Sequence, residues 1–210
     1  MIITHYGKQF FKVQLGDTTL AFNPISKDSK VKAARFGADV ALSSINHPDY
    51  NGVDTVVYGE KEPLAITGPG EYETRGVFIK GIPTEVTIGG KKYINTIYLF
   101  ELDNIKICFL GAYAGKQLPA VTNEVIEEID ILFVAIDGNE RVTPADAYAL
   151  AISLEPKIII PMDYDENTKA LKTFLKEGDA EEVKALDKYT VKRKDLEGCA
   201  GDIVVLDSQS

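Results

Sequence analysis

The chain has 210 residues, 45% of them hydrophobic and 26% charged, the composition of an ordinary globular protein long enough to bury a sizeable core. Its 23 Lys and Arg stand against 32 Asp and Glu, a formal net charge of −9, so a nucleic-acid backbone would be repelled over most of the surface. No stretch approaches ~18 consecutive apolar residues, and Cys108 and Cys199 are too isolated to form a zinc or disulfide motif, so neither a membrane span nor an oxidising compartment is expected.

In chain order, residues 1–6, 9–15, 18–22, 38–43, 54–59, 63–67, 77–82 and 93–102 are short runs rich in β-branched and aromatic residues, and they read as strands. "LGDT" makes a tight turn between the second and third, and Asp103-Asn104 in "ELDNIKICFLG" is a hairpin signal. From about Leu118 the texture becomes an alternation of helix and strand. "TNEVIEEID" is a short helix that Thr122 can cap, leading to the buried strand "ILFVAI". "VTPADAYALAISLEP" carries the fullest helix signature: Thr143 as N-cap, Pro144 at the first helical position, Asp146 in the first turn and Pro156 as a stop. The strand "KIIIPM" follows, then an amphipathic helix in "NTKALKTFLKEG" ended by Gly178. "EEVKAL", "YTVKRK" and "DIVVL" read as closing strands; the basic run at 188–194 alternates like a strand with one solvated face rather than forming a nucleic-acid patch.

No linker or low-complexity segment divides the chain, so one domain over residues 1–210 is expected. Strands followed by a strand–helix alternation predict two sheets with helices packed outside, a layered α/β sandwich. The uninterrupted apolar centres of "ILFVAI" and "KIIIP" predict strands covered on both faces. Four buried strands run into polar loops: "SINHPDYNG", "GAYAGK", "DGNE" and "DYDEN". Sites in layered α/β folds collect at such strand ends, where a rigid sheet holds loop side chains convergent.

The ordered set "MIITHYGKQFFKVQLGDTTLAFNP", "FGADVALSSINHPDYNG", "GPGEYETRGVFIKGIP", "NTIYLFE", "KICFLG", "DILFVAI" and "ADAYALAISLEPKIIIPMDYD" resembles the metallo-β-lactamase superfamily, and within it the short bacterial zinc-dependent hydrolases of that fold. The resemblance covers nearly the whole chain. It implies a four-layer αββα sandwich of two mixed sheets with outer helices, and a cleft at the sheet edges where His and Asp side chains hold zinc and acidify its bound water.

Carried over by position, the first His of the family's His-x-His-x-Asp-His loop becomes Ile45, which cannot ligate. The second is retained as His47 and the Asp as Asp49, while the last His becomes Tyr50. The third metal His falls near Glu85 or Val86, the metal-bridging Asp becomes Ala112, and the final His becomes Asp163. A set of one His and two carboxylates is poor for a catalytic zinc and nearer to what Mn²⁺ or Mg²⁺ tolerates.

The resemblance therefore implies a fold that has lost its dinuclear zinc site and hydrolysis, and that serves as a binding or structural module with no cofactor. The alternative is a metal-dependent hydrolase in which His47, Asp49 and Asp163 hold one divalent ion, Zn, Mn or Mg. Lys8, at the family's Gly-His position, could neutralise Asp49 or Asp163. Tyr50, Glu71, Glu85 and Ala112 are further cleft candidates. The plainer readings stand beside these: His47-Pro48-Asp49 as a turn, His5 as a core or surface histidine, and residues 67–76 ("TGPGEYETRG") as a structural corner. No nucleotide loop and no GxSxG nucleophile context is present. A cytoplasmic protein is expected, with a small-molecule or protein partner or a second copy of itself, and with no nucleic acid or membrane.

Overall fold

Alternation decides the first strands. The computed structural model describes residues 1–60, 62–126, 128–136, 142–164 and 169–209. Strands β1 (Ile2–His5), β2 (Phe11–Leu15) and β3 (Thr18–Phe22) pair antiparallel, with Phe11 and Val13 buried between half-buried Lys12 and Gln14. Strands β4 (Val40–Leu42) and β5 (Leu64–Ile66) extend this sheet in parallel.

The second sheet opens with β6 (Gly70–Thr74), β7 (Val77–Ile88), β8 (Lys91–Leu102) and β9 (Ile105–Phe109), all antiparallel. Its three tight hairpins use left-handed backbone: Arg75-Gly76 after β6, Gly89-Gly90 after β7, and Asp103-Asn104 (φ 54° and 58°) after β8, the last of which the sequence predicts. Strands β10 (Ile131–Ala135) and β11 (Ile158–Met162) continue it in parallel and are buried at every residue. A short β12 (Tyr189–Thr190) returns to the first sheet beside β1, and β13 (Asp202–Ile203) closes the second beside β11.

The two mixed sheets, of six and seven strands, face each other across a core in which Phe11, Val13, Leu20 and Phe22 meet Tyr98, Phe100, Phe109 and Phe133. Helices α2 (Pro144–Ser153) and α3 (Lys169–Glu177), following the one-turn α1 (Ala120–Asn123), cover the outer face of the second sheet. There Ala147, Leu150, Ala151, Phe174 and Leu175 pack on Leu132, Val134 and Ile159. Over the first sheet the outer layer is thinner: Ile25, Ala38 and Val56 cover Phe10, Ala21 and Ala41. This is the α/β sandwich implied by the sequence.

Several expected elements differ. Residues 54–59 do not form a strand; Val53–Val56 is a 3-10 turn whose Val56 plugs the outer face, because Thr55 Oγ1 donates back to the Gly52 carbonyl at 2.7 Å and closes the backbone locally. The strand expected over 189–194 stops at Thr190, since Asp195 Oδ2 accepts the Lys192 N–H at 2.9 Å and starts a 3-10 turn at Arg193–Leu196. Residues 181–186 contribute one bridge, Leu186 to Leu206, and the strand expected over 202–206 shortens to β13. Thr122 is a buried member of α1, which begins after Pro119, rather than a cap. Thr143, by contrast, caps α2 as predicted, accepting the Asp146 N–H at 3.1 Å.

Candidate functional site

The loop after β4 is a pair of tight turns. Tyr50 N–H donates to the His47 carbonyl at 2.8 Å and His47 N–H to the Ile45 carbonyl at 2.9 Å. Ser43 Oγ lies within hydrogen-bond distance of the carbonyls of both Ile45 (3.1 Å) and Tyr50 (3.0 Å). These turns point Ile45 and Tyr50 inward, each 2% exposed, and leave His47 and Asp49 at the surface, with side chains 25% and 27% exposed. His47 Nδ1 accepts the Asp49 N–H at 3.2 Å, and its ring lies beside Tyr50 and edge-on to Tyr93. Asp49 Oδ1 accepts from Ser29 Oγ at 2.6 Å, and its other oxygen is 4.0 Å from His47 Nδ1. His47-Pro48-Asp49 thus acts as a turn tied to the neighbouring loop, the plainer of the two readings.

Asp163 follows β11 and is almost fully buried. It adopts a left-handed backbone (φ 57°) that turns its carboxylate toward the first sheet, and its N–H donates to the Lys8 carbonyl at 2.9 Å. Two side chains donate to the same oxygen, Oδ2: Gln9 Nε2 at 2.9 Å and Tyr50 Oη at 3.0 Å. Lys8 Nζ stands 4.0 Å from Oδ1 and is partly exposed. Lys8 therefore faces Asp163, one of the two partners the sequence suggested for it.

The remaining positions carried over from the family come together as an apolar cluster: Ile45, Tyr50, Val86 and Ala112 pack against one another, with Ile88, Tyr93 and Ala114 around them. At the loosely placed position it is Val86 that turns into this cluster, while Glu85 is exposed. Glu71 is exposed on edge strand β6, where its carboxylate is 3.6 Å from Lys80 of β7, and its neighbour Tyr72 is the residue that turns into the core. The 67–76 segment, expected as a corner, turns only at its start, where Tyr72 Oη donates to the Gly68 carbonyl at 2.9 Å, and then runs as edge strand β6 into the Arg75-Gly76 hairpin turn. His5 is a core histidine stacked on Phe11, its ring nitrogens 3.3 Å from the Leu206 carbonyl and 3.2 Å from that of Lys8.

Sequence reasoning missed four buried polar residues that organise the same region. Asn23, at the end of β3, donates through Nδ2 to Gln9 Oε1 and Ser44 Oγ, both at 2.8 Å, and its Oδ1 accepts the Ser44 N–H at 2.7 Å. Asn95 of β8 donates to Thr84 Oγ1 (2.9 Å) and to the Leu110 carbonyl (3.0 Å), and accepts the Ala112 N–H at 2.8 Å. Gln9, Asn23, Ser44 and Asn95 are each at most 1% exposed. A lone amide residue gives no sequence signal of such a role.

The set can be tested against the metal that the resemblance implies. Among the described residues no group of three or more His, Cys, Asp or Glu is placed to hold a metal ion. Ile45, Val86 and Ala112 offer no side-chain donor atoms, the Tyr50 phenol donates its proton to Asp163, and Asp49 bonds to Ser29. The described donors do not fit the His-rich set a catalytic zinc needs. The polar ends of the "DGNE" and "DYDEN" loops lie outside the described residues.

A family model described as "Beta-lactamase superfamily domain" matches residues 2–163. The chain belongs to the beta-lactamase superfamily. Within the superfamily it is similar to proteins named metal-dependent hydrolase, at 24% identity over 204 residues for one from Lysinibacillus sphaericus (strain C3-41), covering 79% of this chain and 86% of that one. Among solved structures, a Thermotoga maritima protein described as a Zn-dependent hydrolase of the metallo-beta-lactamase superfamily superposes with a TM-score of 0.77 at 27% identity, covering 99% of both chains. The metallo-hydrolase Igni18 from Ignicoccus hospitalis shares the fold, with a TM-score of 0.66 at 15% identity over 100% of this chain and 96% of that one. In this chain Ile45, Tyr50, Val86 and Ala112 pack together, and Tyr50 Oη ties the cluster to Asp163 at the end of β11.

Proposed function

We propose that this chain is a metallo-β-lactamase-fold module without the dinuclear zinc centre and without hydrolytic activity, and that it works by binding a small molecule or protein or as a structural subunit. The observation that carries this reading is the 3.0 Å hydrogen bond from Tyr50 Oη to Asp163 Oδ2. A carboxylate that ligates a cation turns its lone pairs to the ion, whereas here one oxygen already takes two side-chain donors and Lys8 stands near the other. Ile45, Val86 and Ala112 pack with Tyr50 into an apolar cluster, so the positions that the sequence resemblance aligns with metal ligands offer a cation no side-chain donor atoms from these three residues.

A second reading has its own support. His47 and Asp49 keep their places in the family's loop, and the relatives are named metal-dependent hydrolases. On that reading His47, Asp49 and Asp163 hold a single divalent ion after Asp163 exchanges Tyr50 for the metal. Metal analysis of protein purified without chelator separates the two. The module reading expects well under 0.1 ion of Zn, Mn or Fe per chain, and an unchanged melting temperature with added Zn²⁺ or Mn²⁺ by ligand linkage (about 0 °C shift). A near-stoichiometric metal that Asp49→Ala removes would establish the second reading instead.

A further inference from the structure

Among the described residues a head-to-tail series of hydrogen bonds leads to Asp163, while the other Asn23 amide hydrogen returns to Ser44 Oγ at 2.8 Å. Ser44 N–H donates to Asn23 Oδ1 (2.7 Å), Asn23 Nδ2 to Gln9 Oε1 (2.8 Å), and Gln9 Nε2 to Asp163 Oδ2 (2.9 Å). Tyr50 Oη adds a fourth donor at the same end. Each amide in this chain has its orientation dictated by the next. The carboxylate accepts, so Gln9 must present nitrogen to it and oxygen to Asn23. Asn23 must then present nitrogen to Gln9 and oxygen to the Ser44 N–H. Aligned hydrogen bonds polarise one another, and the anion at the end makes the last ones charge-assisted.

The relay joins four chain segments far apart in sequence: the turn before β2, the end of β3, the loop after β4, and the end of β11. Of the eight non-glycine residues with positive φ among the described residues, Lys8, Asn23 and Asp163 lie in or beside it. Backbone strain of this kind persists where surrounding bonds over-determine the conformation.

We propose that this relay is the organic replacement for a metal: a buried, directional hydrogen-bond chain, ending on Asp163, that clamps the strand-end loops and holds them shut over the apolar cluster. Asp163 is its required acceptor, and Gln9 is the residue that passes its polarity on. The proposal rests on the module reading above and adds which residues take over the loop-tying task.

The test exploits direction, which a merely space-filling role would ignore. Gln9→Glu keeps shape but removes the donor and sets a carboxylate against a carboxylate; we expect the melting temperature to fall by about 10 °C or more. Asp163→Asn alone should cost about 5–10 °C. The double variant Gln9→Glu/Asp163→Asn moves the charge one place along while leaving a donor–acceptor pair between positions 9 and 163. It should regain at least half of the Gln9→Glu loss, with amide hydrogen exchange at Ser44 slowed again. Losses that simply add in the double variant overturn the relay.

If Gln9→Glu does not fold, a soluble double variant is itself the rescue. If neither folds, the Gln9→Met and Asp163→Asn cycle decides: a combined loss well below the sum supports the relay, and additivity refutes it. Metal content is measured on the same wild-type preparation. Bound metal there would remove the module reading, whereas additivity in metal-free protein would remove the relay alone.

Discussion

Gly111, in the loop after β9, packs directly against Ser44 and Asn95, and Gly111→Ala measures how tightly that approach is set. Its φ of +62° is left-handed, which costs an L-residue about 1–2 kcal/mol. A Cβ there would also lie 2.5 Å from Asn95 Oδ1 and 2.6 Å from both Cβ and Oγ of Ser44. Neither neighbour can yield easily: Asn95 holds Thr84, the Leu110 carbonyl and the Ala112 N–H, while Ser44 is bonded to Asn23. Overpacking of this kind costs about 1–3 kcal/mol.

The two contributions predict a loss of about 2–5 kcal/mol, or about 5–15 °C in melting temperature for a domain of this size. Gly16→Ala and Gly89→Ala are the controls. They share nearly the same φ, +55° and +56°, but a Cβ at either meets nothing within 4 Å. Each should cost only the backbone component, about 1 kcal/mol. Thermal and urea melts followed by circular dichroism give the three values. If Gly111→Ala falls with the controls, the closure of this loop over Ser44 and Asn95 is not as the structure has it, and the packed site must be redrawn.

Other consequences are simpler to check. Asp130 is buried, which alone would raise its pKa, but the Lys157 ammonium at 2.7 Å, the Lys106 N–H at 2.8 Å and the Arg193 guanidinium outweigh that and hold the carboxyl below its ordinary value. Its stabilisation is therefore fully present above about pH 4–5 and lost as pH falls through the lowered folded value. Asp130→Asn should cost about 1–3 kcal/mol at neutral pH, since its cationic partners are partly solvated, and should flatten the acid limb of a stability–pH curve. Burial pushes the Cys108 thiol well above its ordinary range and closes it off from solvent, whereas Cys199, also raised by partial burial and Asp202, is half-buried and reachable. A thiol reagent at pH 8 should accordingly modify one cysteine in the native protein and two after denaturation. Thr143→Ala, which removes the α2 cap, should cost about 1 kcal/mol in a denaturant melt, and Thr143→Ser should restore most of it.

Legibility in the sequence followed the range of the interaction. The Asp103-Asn104 hairpin and the Thr143-Pro144 helix start were readable because donor and acceptor lie a few residues apart and the required backbone is intrinsic to those residue types. Residues 54–59 and 189–194 misled for the same reason in reverse. Both have β-branched strand formers, but a local side-chain to backbone bond, Thr55 to Gly52 or Asp195 to Lys192, turns the chain before a ladder can continue. In the candidate site the structure assembles Ile45, Tyr50, Val86, Ala112 and Asp163 in one place and leaves His47 and Asp49 in a partly exposed turn. Gln9, Asn23 and Asn95 were not legible, because nothing in an amide residue announces a partner 154 positions away, as Gln9 has in Asp163.

These residues also explain why single substitutions toward a zinc set should fail where a combined set could succeed. Ile45→His alone would bury an imidazole in an apolar cluster where Val86 and Ala112 offer it no partner and the Tyr50 hydroxyl is already engaged with Asp163, costing about 1–3 kcal/mol for an unsatisfied polar group. Asp163→His alone would exchange an obligate acceptor for a ring that can accept at only one nitrogen, against the two donors Gln9 and Tyr50 already aimed at one atom. Ala112→Asp would place a carboxylate in the apolar cluster without a cation to neutralise it. Each change is unfavourable until the others supply a metal to satisfy it. The hydrogen-bonded, apolar arrangement is in the same way self-consistent only as a whole. A zinc-responsive melting temperature should therefore emerge in the combined Ile45→His/Tyr50→His/Ala112→Asp/Asp163→His variant and in none of its single members. A single member that gained it would show that these side chains are not coupled in the way their hydrogen bonds and packing require.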